Sequence, residues 1–266
     1  MRYPGICTGI VANPQILRIK NKTSNNIIIS FNVLNSQVWH LYPYMFKNWI
    51  TIFVLIIALG ETVVAAPAIR PNWNHTDQIN VNLSGITLSY NLPKNLSADF
   101  PVKNASNKNL YDSSLYQGQE GFVLAEYVWD YKTKTLWTQD ILGSLQLRIS
   151  VFQSEQTLTS DMPMLQEAVT KVMTNTYAAL GMADSIRIEN QTSIKINKTD
   201  WLSYRLLVGR SNQPSINYAA LLDDKHFVQF SFTIIESKSR DKHSWYQATE
   251  ADISRIMDSV SIAFPN

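Results

Sequence analysis

The residues of this 266-residue chain whose types suit metal binding or proton transfer are four histidines, His40, His75, His226 and His243. A zinc site needs ligands at short spacing, and only His226 and His243 share a region, with Asp223, Asp224 and Asp241 as neighbours. Those acids permit a site on paper, but they also read as a polar turn and a solvated charge run, so neither a metal nor any other cofactor is expected. Asp130 and Asp140 flank the segment from Trp129 to Trp137 and could mimic the carboxylate pair of a glycosidase, although acids on a connecting loop are ordinarily just solvated. No Gly-x-Ser-x-Gly elbow supplies an acyl-transfer nucleophile, and no Gly-rich loop follows a strand to cradle phosphates. The one cysteine, Cys7, precedes an apolar run that reads as a leader, which would leave the mature domain without a thiol or a disulfide.

Aromatic residues are the stronger signal. Trp129, Tyr131, Trp137, Trp201, Tyr204 and Trp245 exceed what alternating core positions demand, and amphipathic aromatics favour interfaces. Trp137, Trp129, Tyr131 and Trp245 are therefore the candidate binding residues. Trp137, in a polar stretch with Lys132 and Lys134, is the one expected to be exposed and to face a partner. Trp201 and Tyr204 are expected to cover the sheet beneath a long helix.

The elements that must position these residues centre on Ile216 to Pro265. In His226 to Ile235, Val228, Phe230, Phe232 and Ile234 share one face and Gln229, Ser231 and Thr233 the other, the pattern of a half-buried strand. Asn217 to Leu222 reads as its hairpin partner across the turn Asp223-Asp224-Lys225. Thr249-x-x-Asp252 resembles a capping box opening a short helix striped with Ile253, Ile256, Met257 and Val260, and Ser261 to Phe264 reads as a last strand. Upstream, Ile79-x-Val81-x-Leu83 and Ile86-x-Leu88-x-Tyr90 alternate about Gly85, Gly121 to Trp129 and Leu145 to Val151 read as strands, and Asp130 to Gln139 reads as a loop or projecting hairpin. The most secure helix starts near Ser160 or Asp161, carries Pro163 in its first turn and stops at Gly181. Short alternating runs return at Ile186, Ile194 and Leu202 to Val208.

Residues 1–44 contain no acidic residue and no sustained period, so they read as a non-native or unstructured extension, with Met45 an alternative start to Met1. Residues 45–68 have the basic, apolar and small-residue regions of a secretory signal peptide, with an uncleaved anchor over Phe46 to Ala66 as the competing reading. Residues 69–80 read as a Pro- and Asn-rich linker and 81–266 as one folded domain. Of 23 basic residues five precede Pro67, and of 21 acidic residues one does, so the formal charge of +2 becomes 18 bases against 20 acids in the remainder. A nearly neutral domain offers nucleic acid no electrostatic footprint. With 45% hydrophobic and 17% charged residues the chain can bury a core, which excludes disorder. Asn-x-Ser/Thr sequons at Asn74, Asn82, Asn95, Asn104, Asn190 and Asn197 suit either glycosylation or an AT-rich bacterial coding bias, and the absence of cystines favours the second.

The order of strand pair, long helix, meandering strands, short helix and last strand resembles the Mog1/PsbP-like fold, and within it the exported bacterial DcrB-type branch. Trp201 to Leu207, His226 to Ile235 and Ile253-x-x-Ile256-Met-Asp-Ser-Val-Ser-Ile262 carry the likeness. The resemblance implies an α+β fold, an antiparallel β-sheet flanked by helices as an α/β/α sandwich. It also implies a family whose members mostly bind proteins or assist complexes. The expectation is an exported, non-catalytic binding or assembly-accessory protein of the bacterial envelope, periplasmic or secreted, whose partner is another envelope protein. Membrane contact is expected only if the signal segment is retained. Alternatives are an envelope hydrolase using acids near Asp130 and Asp140, and a membrane-tethered accessory subunit.

Overall fold

Strand alternation over the C-terminal three quarters of the chain produces two antiparallel sheets. The structure, a computed structural model, describes residues 16–19, 27–30, 71–117, 119–132, 141–159, 161–209, 214–236 and 243–265. The chain divides into two units, Met1–Val64 and Ala65–Asn266. In the first, β1 (Ile16–Ile19) pairs antiparallel with β2 (Ile27–Ser30), where the sequence showed no sustained strand period. The signal segment at 45–68 lies outside the described residues.

The second unit contains β3 (Asn72–Leu83), β4 (Ile86–Lys94), β5 (Gly121–Lys132), β6 (Ile141–Gln153), α1 (Met162–Ala179), β7 (Ile186–Ile196), β8 (Thr199–Val208), β9 (Ser215–Leu221), β10 (His226–Glu236), α2 (His243–Ser259) and β11 (Ser261–Ala263). A six-stranded sheet runs β5-β6-β10-β9-β8-β7 and a three-stranded one β11-β4-β3. This is the expected α+β class. Among the described residues no helix is long and apolar enough to cross a membrane.

The two faces of the large sheet bury two cores. On one, Leu165, Val169, Val172 and Met173 of α1 pack on Leu202, Tyr204, Leu206, Ala219 and Phe227. On the other, Leu147, Ile149, Trp201, Val228, Phe230 and Phe232 meet β4 and the Ile253, Ile256 and Val260 stripe of α2. The second cover is therefore a small sheet plus a helix rather than a helix alone. Strand β10 is covered on both faces at its start, not half-buried as its pattern suggested, because α1 lies over Phe227 and Gln229 is held by the Tyr204 hydroxyl at 2.7 Å. Trp201 and Tyr204 separate onto opposite faces, so only Tyr204 lies in the core under α1.

Local chemistry sets the element ends. Ser84 and Gly85, both at positive φ, form the two-residue turn between β3 and β4 that matches the twist of its strands. Helix α1 has proline in its first turn and ends in a Schellman arrangement, with Gly181 at φ 71 and the Met182 N–H donating to the Tyr177 carbonyl at 2.8 Å. Two expectations are corrected. The linker at 69–80 is mostly strand, because Asn72–Leu83 pairs with β4 and alternates polar residues outward. Helix α2 starts at His243, so Thr249 and Asp252 are buried mid-helix residues rather than a capping box. Trp245 and Ala248 extend the apolar stripe backward and drive the earlier start. The outer edge of β5 is covered by the segment 97–103, whose Ser97 N–H donates to the Val128 carbonyl and whose Lys103 exchanges both backbone hydrogen bonds with Glu126.

Candidate functional site

The strongest candidate is built on Asp252, a carboxylate on the apolar stripe of α2 with a side chain 4% exposed. A buried carboxylate needs donors. Trp73 Nε1, carried in by β3, donates to Oδ1 at 2.7 Å, and the Tyr131 hydroxyl of β5 donates to Oδ2 at 2.7 Å. One side chain thus ties together strands of both sheets and a helix. Arg255, one turn along α2, lies 3.9 Å from Asp252 and 5.6 Å above the Trp73 ring, within cation–π range. Above this node opens a groove of about 420 Å³ lined by Asn72, Trp73, Asn74, Asn95, Asp252 and Arg255. Asn95 presents its amide from a left-handed backbone at φ 70, a conformation asparagine tolerates.

Two other polar clusters are knitted inward. Asp130, 7% exposed, accepts from Ser97 Oγ at 2.7 Å and Ser144 Oγ at 2.8 Å and lies 3.7 Å from Lys132 Nζ. His226 is fully buried, with Nδ1 at 2.8 and 2.9 Å from the two Asp223 oxygens, which sets Nδ1 as the protonated nitrogen. Burial pushes the Asp223 carboxyl up, but the Lys225 N–H and the His226 ring and N–H outweigh it and hold the group below its ordinary value. Tyr111 donates to Asp223 Oδ2 at 3.2 Å, and the Tyr111 and Tyr116 rings each sit 5.7 Å from the imidazole. The cluster clamps the loop around 111–116 to the β9–β10 turn. Its histidine is a core residue, not part of a solvated polar turn. Among the described residues no group of three or more His, Cys, Asp or Glu side chains could hold a metal.

Most of the aromatics singled out as binding residues lie inside. Trp129 and Tyr131 are 0% exposed and Trp245 is 2% exposed, so these three candidate binding residues are interior side chains. Each has an interior role: Trp129 Nε1 donates to the Pro93 carbonyl at 3.0 Å, Tyr131 holds Asp252, and Trp245 packs on Tyr131 at 5.9 Å and covers Gly143. They are numerous because two sheets and a helix meet there, and large rings fill that junction. Trp137 and Asp140 lie outside the described residues, as does Asp241. Trp73 and Arg255 went unnoticed in the sequence, and Asp252 was read only as part of a capping box. The available signal was a charge four residues before Ile256 on an otherwise apolar stripe.

The fold and groove define an α+β domain of two packed antiparallel sheets with a polar site over a buried carboxylate. No family model matches the chain, and no curated protein matches it. Among solved structures it is similar to the solution structure of cyanobacterial PsbP (CyanoP) from Synechocystis sp. PCC 6803, at 12% identity and a TM-score of 0.37, over 76% of this chain and 96% of that one. The α+β assignment rests on this chain's own strand order and layers.

Proposed function

We propose that this chain is an exported, non-catalytic binding or assembly-accessory protein of a bacterial envelope, of the DcrB-type branch it resembles in sequence. The observation that carries the reading is the groove over Asp252: a pre-built, open, polar site whose foundation ties two strands to one helix by short hydrogen bonds. Pre-organisation of this kind favours recognition, because little ordering entropy is left to lose on binding. Of the two acids read as a glycosidase-like pair, Asp140 lies outside the described residues, and Asp130 is engaged much as Asp252 is. Asp130 is held by two serines and Asp252 by a tryptophan and a tyrosine, which leaves both as structural acceptors. Trp137 remains the residue proposed to meet an envelope partner.

Intact mass of the native protein from fractionated cells tests the export half. A species beginning near Ala66 or Ile69 in the periplasmic fraction is the expected result, and a product retained in the cytosol from Met1 would refute it. A photo-crosslinker at position 137 tests the partner half. One defined adduct with an envelope protein is expected, and none at all would remove Trp137 from the proposal.

A further inference from the structure

We infer that the groove over Asp252 takes an uncharged saccharide. The inference deepens the binding role proposed above and rests on it. Arg255 is the first reason. Its side chain is 60% exposed, it is aligned by the Trp73 ring, and at 3.9 Å it is too far from Asp252 for a hydrogen bond. No described residue accepts from its guanidinium, which carries five N–H donors in a fixed plane. The described residues leave those donors for a ligand or water.

Charge is the second. Arg255 and Asp252 cancel at the floor of the groove, so a phosphate or sulfate would gain little net field there. The rim is made of amides. Asn72 spends its Oδ1 on the Asn74 N–H at 3.0 Å, while the side chains of Asn74 and Asn95 make no hydrogen bond with any described residue. Each amide both donates and accepts. A simple anion would leave the amide oxygens facing its own acceptor atoms, and a hydrocarbon would strip water from all of these groups without replacement. Hydroxyl groups donate and accept in equal measure, as the rim does, and the part-buried Trp73 ring supplies an apolar wall beside them. The volume falls within the range of small-ligand sites.

The test is a titration of the full chain with tetra-N-acetylchitotetraose and with cellotetraose, both uncharged, read by tryptophan fluorescence and by calorimetry, with inorganic phosphate as the competing anion. A saturable signal with at least one oligosaccharide is expected, weakened tenfold or more in Arg255→Ala and in Asn95→Ala. Both are surface substitutions, and unchanged far-ultraviolet circular dichroism will show that the fold is intact. The inference is overturned if neither sugar gives saturation up to about 10 mM, ten times the millimolar end of the affinity scale. It is equally overturned if phosphate alone binds, or if sugar binding survives both substitutions. Because the titration uses purified protein, failure of export would leave its result standing, and failure of sugar binding would leave the export result standing.

Discussion

Replacing Asp252 with asparagine removes the charge at the centre of the second unit while keeping the shape of the side chain. The carboxylate accepts two hydrogen bonds at 2.7 Å, from Trp73 and from Tyr131, with its side chain only 4% exposed at the floor of the groove. Hydrogen bonds to a charged group contribute about 1.5–3 kcal/mol each. In Asp252→Asn the Oδ1 keeps the Trp73 N–H, the Nδ2 amide meets the Tyr131 hydroxyl only if that hydroxyl turns from donor to acceptor, and both bonds lose their charge. The expected loss is about 2–4 kcal/mol, a large share of the roughly 5–15 kcal/mol that stabilises a typical domain. For a domain of this size it corresponds to a fall in Tm of about 5–15 °C. Urea unfolding followed by circular dichroism would measure it, with an unchanged slope showing that the same surface is exposed. Trp73→Phe removes one donor independently. A double-mutant cycle with Asp252→Asn should give a coupling energy of about 1–2 kcal/mol. A loss below about 0.5 kcal/mol in the single variant, as for an ordinary surface change, would refute the account of Asp252 as the organising acceptor.

Gly143→Ala should be more damaging than most glycine changes. The new Cβ would fall 2.6 Å from the Ile235 carbonyl oxygen and against the Trp245 ring, so thermal unfolding should show a loss of about 1–3 kcal/mol or more from overpacking. Gly181→Ala forces a side chain into the left-handed region at φ 71 and should cost about 1 kcal/mol by urea denaturation, although open space surrounds it. The depressed Asp223 carboxyl contributes stability that is present above the unfolded carboxylate range near pH ~3.9 and is lost as pH falls through the lower folded value. Unfolding free energies at mildly acidic pH and near pH 3 should therefore converge more closely in Asp223→Asn than in the parent chain, and identical slopes would contradict the Asp223–His226 clamp. Asn197→Ala should loosen the end of α2, because the Asn197 amide donates to the Asp258 and Val260 carbonyls at 2.7 and 2.9 Å. Faster hydrogen exchange across the end of α2 and β11 is the expected readout.

Much of the architecture was legible because its signals are local. The β9–β10 hairpin, the β3–β4 turn at Gly85 and the helix from Pro163 to Gly181 each announce themselves through periodicity of two or 3.6 and through residues whose backbone preferences few others share. Reading failed where a residue's environment comes from far along the chain. Trp73 sits in a Pro- and Asn-rich stretch that looks like a linker, yet that stretch becomes strand because β4 pairs with Asn72 and with the residues from Thr76 onward, and Asp252, 179 residues away, offers the Trp73 ring an acceptor. Asp252 looked like a cap because Thr249 precedes it, but the apolar stripe continues back through Trp245 and carries the helix past both.

Composition and pattern by themselves determined a chain of alternating strands and two amphipathic helices with a buried core, which residues of β10 share a face, and the span of α1. Those are properties of a segment and its own period. Tertiary structure alone decided that Trp129, Tyr131 and Trp245 are interior, that His226 is clamped to Asp223, and that Asn72, Asn74, Asn95 and Arg255 gather around one groove. Exposure and charge pairing depend on which elements stack on which face, and a strand's alternation is the same whether its second face meets water, a helix or another sheet.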